Sequence, residues 1–335
     1  MASIPVTEPE HFTYENYTNQ TSTKSPCRDT TCIFFVVAHV MICILGIAGN
    51  GVVIWITGFK MKKSVISTLY LSLAISDLIF CCTLPFGVAH KIKNEWVFGS
   101  FMCEFRYFIK YFNMYSSIFI LVIISLDRCV IVMFPVWVQN KRSIRKATLA
   151  VILSCVLSAL LSIPMAIFRD IQDERTKQCL RNYRNDQNRT GTVISRFIFG
   201  FVIPFLIIVI CYVVIVQKLK ANQMGKFKRP FKTMTLVIAA FLICWLPYHT
   251  FALLQLKYKH SKMFVNIGKV LGITLANANS CMNPFLYAFM GKDFKKQCYA
   301  ILSKIENAIQ EEDGQNTVQV TANSSNVEEK VSIVV

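Results

Sequence analysis

Seven times along this chain a stretch of roughly 20 or more residues runs apolar and nearly uncharged, and this repetition constrains the fold more than any single motif. About 20 helical residues at 1.5 Å each cross the roughly 30 Å of hydrocarbon in a bilayer. Apolar length read together with flanking charge places spans at about 33–57, 66–90, 101–133, 147–168, 193–217, 231–256 and 265–289. Of the 335 residues 54% are hydrophobic and only 16% charged, whereas a soluble domain carries about a quarter charged. The expected fold is therefore an all-α membrane protein, a seven-transmembrane helix bundle.

Loop charge sets the direction of the bundle. The loops after the first, third and fifth spans hold Lys60, Lys62 and Lys63, then Lys141, Arg142, Arg145 and Lys146, then Lys218, Lys220, Lys226, Lys228, Arg229 and Lys232, with no acid among them. Cytoplasmic loops carry such an excess, so residues 1–32 are expected outside and the C-terminus inside a multi-pass protein of the plasma membrane. The polar start holds Glu8, Glu10 and Glu15, which leaves the first span as its own insertion signal. The sequons at Asn16, Asn19 and Asn188 then face outward as glycosylation acceptors, while the one at Asn323 falls inside. The formal charge of +17 sits in short clusters between apolar stretches, a pattern suited to membrane lipid headgroups and not to nucleic acid.

After the helical region 33–289, residues 290–304 can form a short cytoplasmic amphipathic helix with Phe294, Cys298, Ile301 and Leu302 on one face. Cys298 can carry a palmitoyl group there or remain a free thiol. Residues 305–335 have the polar, acidic composition of a disordered tail open to phosphorylation. Most of the 13 cysteines lie within apolar runs and pack as small hydrophobes. Cys27, Cys32, Cys103 and Cys179 instead lie near span ends or in loops, on the side expected to be oxidising.

Ionisable groups inside hydrocarbon cost about 2.5–3.5 kcal/mol on insertion scales, so each one in a span needs a reason. Asp77 lies mid-span, with Asn50, Asn113, Ser117, Asn279 and Asn283 at matching depth in other spans. Such a set can hold a small cation such as sodium on oxygen ligands, or clamp the helices by hydrogen bonds. The third span ends in Asp127-Arg128-Cys129, where the guanidinium can lean on the carboxylate, swing to another group or simply snorkel to the interface. Pro85, Pro164, Pro204, Pro247 and Pro284 each remove a backbone hydrogen bond within a span and favour a kink. Trp245 sits two residues before Pro247, and Asn283 and Tyr287 bracket Pro284.

In order along the chain, Gly49-Asn50, Leu73-Ala-Ile-Ser-Asp77, Asp127-Arg-Cys129, Cys244-Trp-Leu-Pro247 and Asn283-Pro-Phe-Leu-Tyr287 resemble the rhodopsin-like G-protein-coupled receptors. Pro135-Val-Trp137-Val-Gln-Asn140, Phe168-Arg169-Asp170, Arg196-Phe-Ile-Phe-Gly200 and Phe289-Met-Gly-Lys-Asp-Phe294 narrow the resemblance to the chemoattractant branch, the chemerin-receptor and formyl-peptide-receptor group. The resemblance implies a receptor for a peptide or lipid chemoattractant that couples to inhibitory-class G proteins and recruits arrestin and receptor kinases. It implies a disulfide between Cys103 and Cys179. It also implies an activation switch formed by Asp127, Arg128, Tyr212, Trp245, Pro247, Asn283, Pro284 and Tyr287, and an allosteric sodium cluster of Asp77, Asn113, Ser117, Asn279 and Asn283. Two departures stand out: Cys155 takes the place of the fourth span's usual tryptophan, and the loop of roughly 170–192 is short.

The ligand's character is also written outside the family motifs. Arg106 and Lys110 lie one turn apart on the face of the third span that continues to Asn113 and Ser117, with Arg169 capping the fourth span and Arg196 and Lys269 in the outer parts of the fifth and seventh. Cations converging without matching acids repel unless an anion joins them, so an anionic ligand is expected. The favoured one is a chemerin-like peptide entering by its C-terminal carboxylate, and the alternative is an acidic lipid mediator. Other classes fare less well: a transporter favours paired repeats or broken helices, and neither is seen. No metal-spaced or nucleophile-base set marks an enzyme. The Asp127-Arg128 pair argues against a scavenger that binds without signalling.

Overall fold

The computed structural model describes residues 27, 29–172, 177–182, 186–221, 228–257, 263–290, 296–300 and 303. The helices are α1 (Thr30–Trp55, continued by a π-helical turn Ile56–Lys60), α2 (Val65–Lys93), α3 (Gly99–Met133), α4 (Pro135–Lys141) and α5 (Ile144–Ile167), followed by a hairpin of β1 (Arg169–Gln172) and β2 (Gln178–Arg181). Then come α6 (Asp186–Phe197), a π-helical turn (Ile198–Val202) and α7 (Ile203–Ala221), which form one rod, and finally α8 (Lys228–Lys257) and α9 (Met263–Met290). Among the described residues this gives seven long rods. Six of them are long and apolar enough to cross a membrane by length and composition. The seventh, α9, is more polar, but its Asn277, Asn279, Ser280 and Asn283 are all buried inside the bundle.

The bundle keeps its outside apolar and turns the polar residues of its spans inward among apolar clusters, the arrangement a lipid solvent requires. On α5, Leu149, Ile152, Leu153, Val156, Leu157 and Leu160 face outward, while Ser154, Ser158 and Ser162 face the neighbouring helices with their hydroxyls bonded to the preceding turn. Small residues let helices approach closely. A Cβ added to Gly46 would strike the Cys81 side chain, and one on Gly49 would meet Pro284 at 2.9 Å, which sets the contact of α1 with α2 and α9. Asn50 fixes that approach by donating to the Gly46 and Ser280 carbonyls at 2.9 and 2.8 Å. Pro85, Pro164, Pro247 and Pro284 are internal to helices. Pro204 instead opens α7 just after the widened π turn.

The helix-forming pattern locates the rods, and the details differ for local reasons. The fifth rod begins at Asp186, seven residues before the apolar run, because polar residues extend the helix beyond the hydrocarbon. Arg169, expected to cap the fourth span, starts β1 and pairs in register with Arg181. Between α2 and α3, Phe98 packs with Phe86, Met102 and the Cys103–Cys179 pair around Trp96, which is wholly buried and donates to the Gly99 carbonyl at 2.8 Å. Asn94 turns the chain there with φ 54°, a left-handed conformation that asparagine tolerates. The segment 296–300 is helical, and Cys298 packs beside the cluster of Val53, Ile56 and Leu69. Asn16, Asn19, Asn323, Phe294, Ile301, Leu302 and the tail 305–335 lie outside the described residues.

Candidate functional site

At the end of the bundle that carries the hairpin, α3, the hairpin, α6, α8 and α9 enclose a cavity of about 490 Å³. Its walls bring together Lys110, Arg169, Arg196 and Lys269, with Tyr107, Tyr111 and Tyr248 between them, and no acid is among its described lining residues. The hairpin is pinned over the cavity by a disulfide between Cys103 of α3 and Cys179 of β2, with Cα atoms 5.9 Å apart. A second disulfide joins Cys27 and Cys32 at the start of α1.

Tyrosine faces hold the cations apart. The Arg169 guanidinium lies 3.4 Å above the Tyr107 ring. Arg196, 2% exposed, donates to the Tyr111 hydroxyl at 3.2 Å and stands 5.6 and 5.2 Å from the Tyr111 and Tyr248 ring centres, while its buried Nε has no partner among the described residues. Each such cation–π contact contributes about 0.5–2 kcal/mol and leaves room for a stronger acceptor.

Arg106 points elsewhere: its guanidinium occupies the space where a Gly87 side chain would be, against α2, and it lies beside the Tyr107 ring at 5.3 Å. Its place is taken by Arg189, which lines the cavity from α6 and donates to the Gln255 carbonyl at 3.1 Å. Arg189 and Arg196 are seven residues apart and share a face, a relation visible only once the helix is known to begin at Asp186. Asn188, the third sequon, is half-buried on the same helix.

Below the cavity Trp245 is buried with Tyr111, Met114, Tyr115, Phe201 and Phe241, and it meets Tyr248 edge-on at 6.1 Å. α8 and α9 approach closely beside Pro247, where a Cβ on Gly272 of α9 would come within 2.9 Å of the Tyr248 Cα. Deeper still, Asp77 is wholly buried. One carboxylate oxygen accepts from the Asn113 amide at 2.7 Å and the Ser117 hydroxyl at 3.3 Å, and the other from the Asn283 amide at 2.6 Å. Ser280 donates to the Asn113 side-chain carbonyl at 3.0 Å. Among the described residues the buried Asn279 amide nitrogen has no partner, and neither does the Asn50 side-chain oxygen. Beside this cluster His39 of α1 and Asn277 of α9 are hydrogen-bonded at 2.8 Å.

Residues 49–287 match the family described as 7 transmembrane receptor (rhodopsin family). The chain belongs to that family. The receptor is 42% identical over 306 residues to chemerin-like receptor 1 of Sus scrofa, covering 85% of this chain and 84% of the relative. It is 37% identical over 311 residues to the C3a anaphylatoxin chemotactic receptor of Oncorhynchus mykiss, covering 90% and 85%. It is 33% identical over 332 residues to formyl peptide receptor-related sequence 6 of Mus musculus, covering 94% and 95%. The receptor is thus a multi-pass plasma-membrane protein of the chemoattractant type, a signalling receptor and not an enzyme.

At the receptor's other end Asp127 does not pair with its neighbour Arg128. Side chains adjacent on a helix diverge, and the carboxylate instead takes both arms of Arg142, which follows the short helix α4, at 2.7 and 3.1 Å. Arg128 lies beside the Tyr70 hydroxyl of α2. Tyr212 of α7 is half-buried against the cluster of Val122, Val132, Ile208, Cys211 and Ile215. The Tyr287 side chain lies outside the described residues, although its backbone belongs to α9.

Proposed function

We propose that this receptor takes a chemerin-like peptide, whose C-terminal carboxylate enters the outer cavity and settles on Arg196 and Lys110. The supporting observation is a cavity lined by five basic side chains and no described acid, with a buried arginine at its base whose Nε lacks an acceptor. A carboxylate can take two parallel bonds from a guanidinium and outcompete the tyrosine faces against which it lies.

The proposal extends to topology and signalling. Residues 1–32 form the outer N-terminus, 33–289 the receptor domain, 290–304 the membrane-surface helix and 305–335 the cytoplasmic tail. Signalling runs through inhibitory-class G proteins, and arrestin and receptor kinases act on the cytoplasmic side. Arg128, Tyr212 and Tyr287 serve the G-protein-facing switch, and Trp245 with Pro247, Asn283 and Pro284 the pivot between cavity and switch. Sodium fits the Asp77 cluster by donor chemistry: a carboxylate, the Ser117 hydroxyl and amide oxygens are hard ligands for a hard cation.

A second reading, an acidic lipid mediator, is favoured by the aromatic bed of Phe201, Phe241 and Trp245 beneath the cavity. Suppression of cyclic AMP in cells expressing the receptor tests both against panels of chemerin-like C-terminal peptides and acidic lipids. An active peptide should lose most of its potency when its terminal carboxylate is replaced by an amide. Unchanged potency of the amide would overturn the peptide-acid assignment, and response to the lipids alone would favour the second reading.

A further inference from the structure

A cleft of about 200 Å³ opens at the end of the bundle where α2, α3, α4 and α5 meet. Its wall is apolar: Val65, Ile123, Val130, Val138 and Ala147 come from four different helices. Its rim is cationic, formed by Lys141, Arg142 and Lys146. Trp137 lies between wall and rim, 51% exposed, with the Lys146 ammonium 5.8 Å from its ring centre. The single acid in the lining, Asp127, already has both oxygens on Arg142, so the two lysines have no acid of their own among the described residues. Ser143 caps the start of α5 in the same cleft, and the first turn of that helix holds no acid, which adds to the positive field.

We infer that this cleft binds one anionic phospholipid of the cytoplasmic leaflet, with an acyl chain along the apolar wall and the phosphate on Lys141 and Lys146. The inference rests on the proposed orientation, which puts α4 at the inner membrane surface. Each half of the site fits one half of that molecule: apolar surface open to hydrocarbon takes the chain, and basic residues at the headgroup level take the phosphate. Trp137 has the amphipathic ring that settles at that boundary. A soluble anion would use the rim but leave the wall uncovered. Bound there, the phosphate lies next to Arg142 and competes with the Asp127 carboxylate for its guanidinium.

Native mass spectrometry of the full-length receptor, titrated with phosphatidylglycerol or with phosphatidylcholine of the same acyl chains, reads the binding directly. Phosphatidylglycerol should bind well above phosphatidylcholine. The double substitution Lys141→Gln, Lys146→Gln should weaken its binding about thirtyfold, from roughly 1 kcal/mol per basic residue near the surface. Lys60→Gln, Lys62→Gln makes the same change of charge on a different cytoplasmic loop and should alter binding less than about threefold. Val138→Trp fills the cleft without touching charge and should weaken binding as well. Equal losses in the two glutamine doubles, or unaltered binding in Val138→Trp, would reduce the effect to general surface attraction and overturn the site. Lipid binding needs no receptor ligand, so this failure would leave the outer cavity's assignment untouched.

Discussion

Arg196→Ala removes the guanidinium at the base of the outer cavity, and its consequence follows from how that group is held. Arg196 contributes one hydrogen bond to the Tyr111 hydroxyl and two ring contacts. Their loss is offset by relief of repulsion from Lys110 and Arg189, so folding and surface expression should change little. With a peptide carboxylate bound the balance differs, because the alanine leaves an anion desolvated against a methyl group. Truncating one partner of a buried, hydrogen-bonded charge pair costs about 2–5 kcal/mol. Lys110 remains in the cavity to share the charge, so the lower part of the range applies, about 3 kcal/mol or roughly a hundredfold in potency. Arg196→Lys keeps the charge but gives up the paired bonds, and should lose about tenfold. Concentration–response curves for cyclic AMP suppression, normalised to surface antibody binding, measure all three. Equal potency of Arg196→Ala and the parent at equal surface levels would remove Arg196 from the binding site.

Three further outcomes are expected. Gly272→Ala sets a Cβ against the backbone of Tyr248 and Pro247 at 2.9–3.1 Å, and should destabilise the detergent-solubilised receptor by about 1–3 kcal/mol in thermal unfolding. Gly51→Ala, which meets nothing within 4 Å, should be neutral or slightly stabilising, and equal effects would refute the packing argument. Arg142→Ala breaks a two-armed pair whose side chains are 27% and 11% exposed, a loss of about 1 kcal/mol after screening, and should raise basal nucleotide exchange on an inhibitory G protein severalfold. Unchanged basal exchange would show that the pair does not restrain the receptor. Sodium chloride should raise the unfolding midpoint above that in choline chloride at equal ionic strength for the parent but not for Asp77→Asn, and a matching rise in the variant would place the ion elsewhere.

The seven rods are legible in the sequence because the signal is long: each needs about 20 apolar residues, and lipid tolerates little else. The inward faces are legible too, since Asp77, Asn113, Ser117 and Asn283 are too polar to face hydrocarbon and do meet in one hydrogen-bonded cluster. Features that depend on helix ends or on rotamers are not. Arg189 escapes notice because its polar turn of helix precedes the apolar run. Arg106 has the spacing of a cavity residue, but Gly87 leaves a gap on α2 that accepts its guanidinium, and no periodicity along α3 reveals a vacancy on another helix. The pairing of Asp127 with Arg142 spans 15 residues and a change of direction at α4, so adjacency in sequence points to the wrong partner.

The tyrosines that face the cavity's arginines also show why an anion should move the bundle. Arg169 rests on Tyr107, and Arg196 on Tyr111 and Tyr248, in contacts of about 0.5–2 kcal/mol each. A ligand carboxylate offers Arg196 charge-assisted bonds roughly twice as strong as neutral ones, enough to draw it off those rings. Tyr248 is the ring with most to transmit, since it lies edge-on to Trp245 and follows Pro247, where α8 and α9 touch through Gly272. A ligand shifts an equilibrium only by its differential affinity for the two states. On the proposed reading that difference is the exchange of tyrosine faces for a carboxylate at Arg196, so a Tyr248 variant that keeps peptide affinity should still lose response.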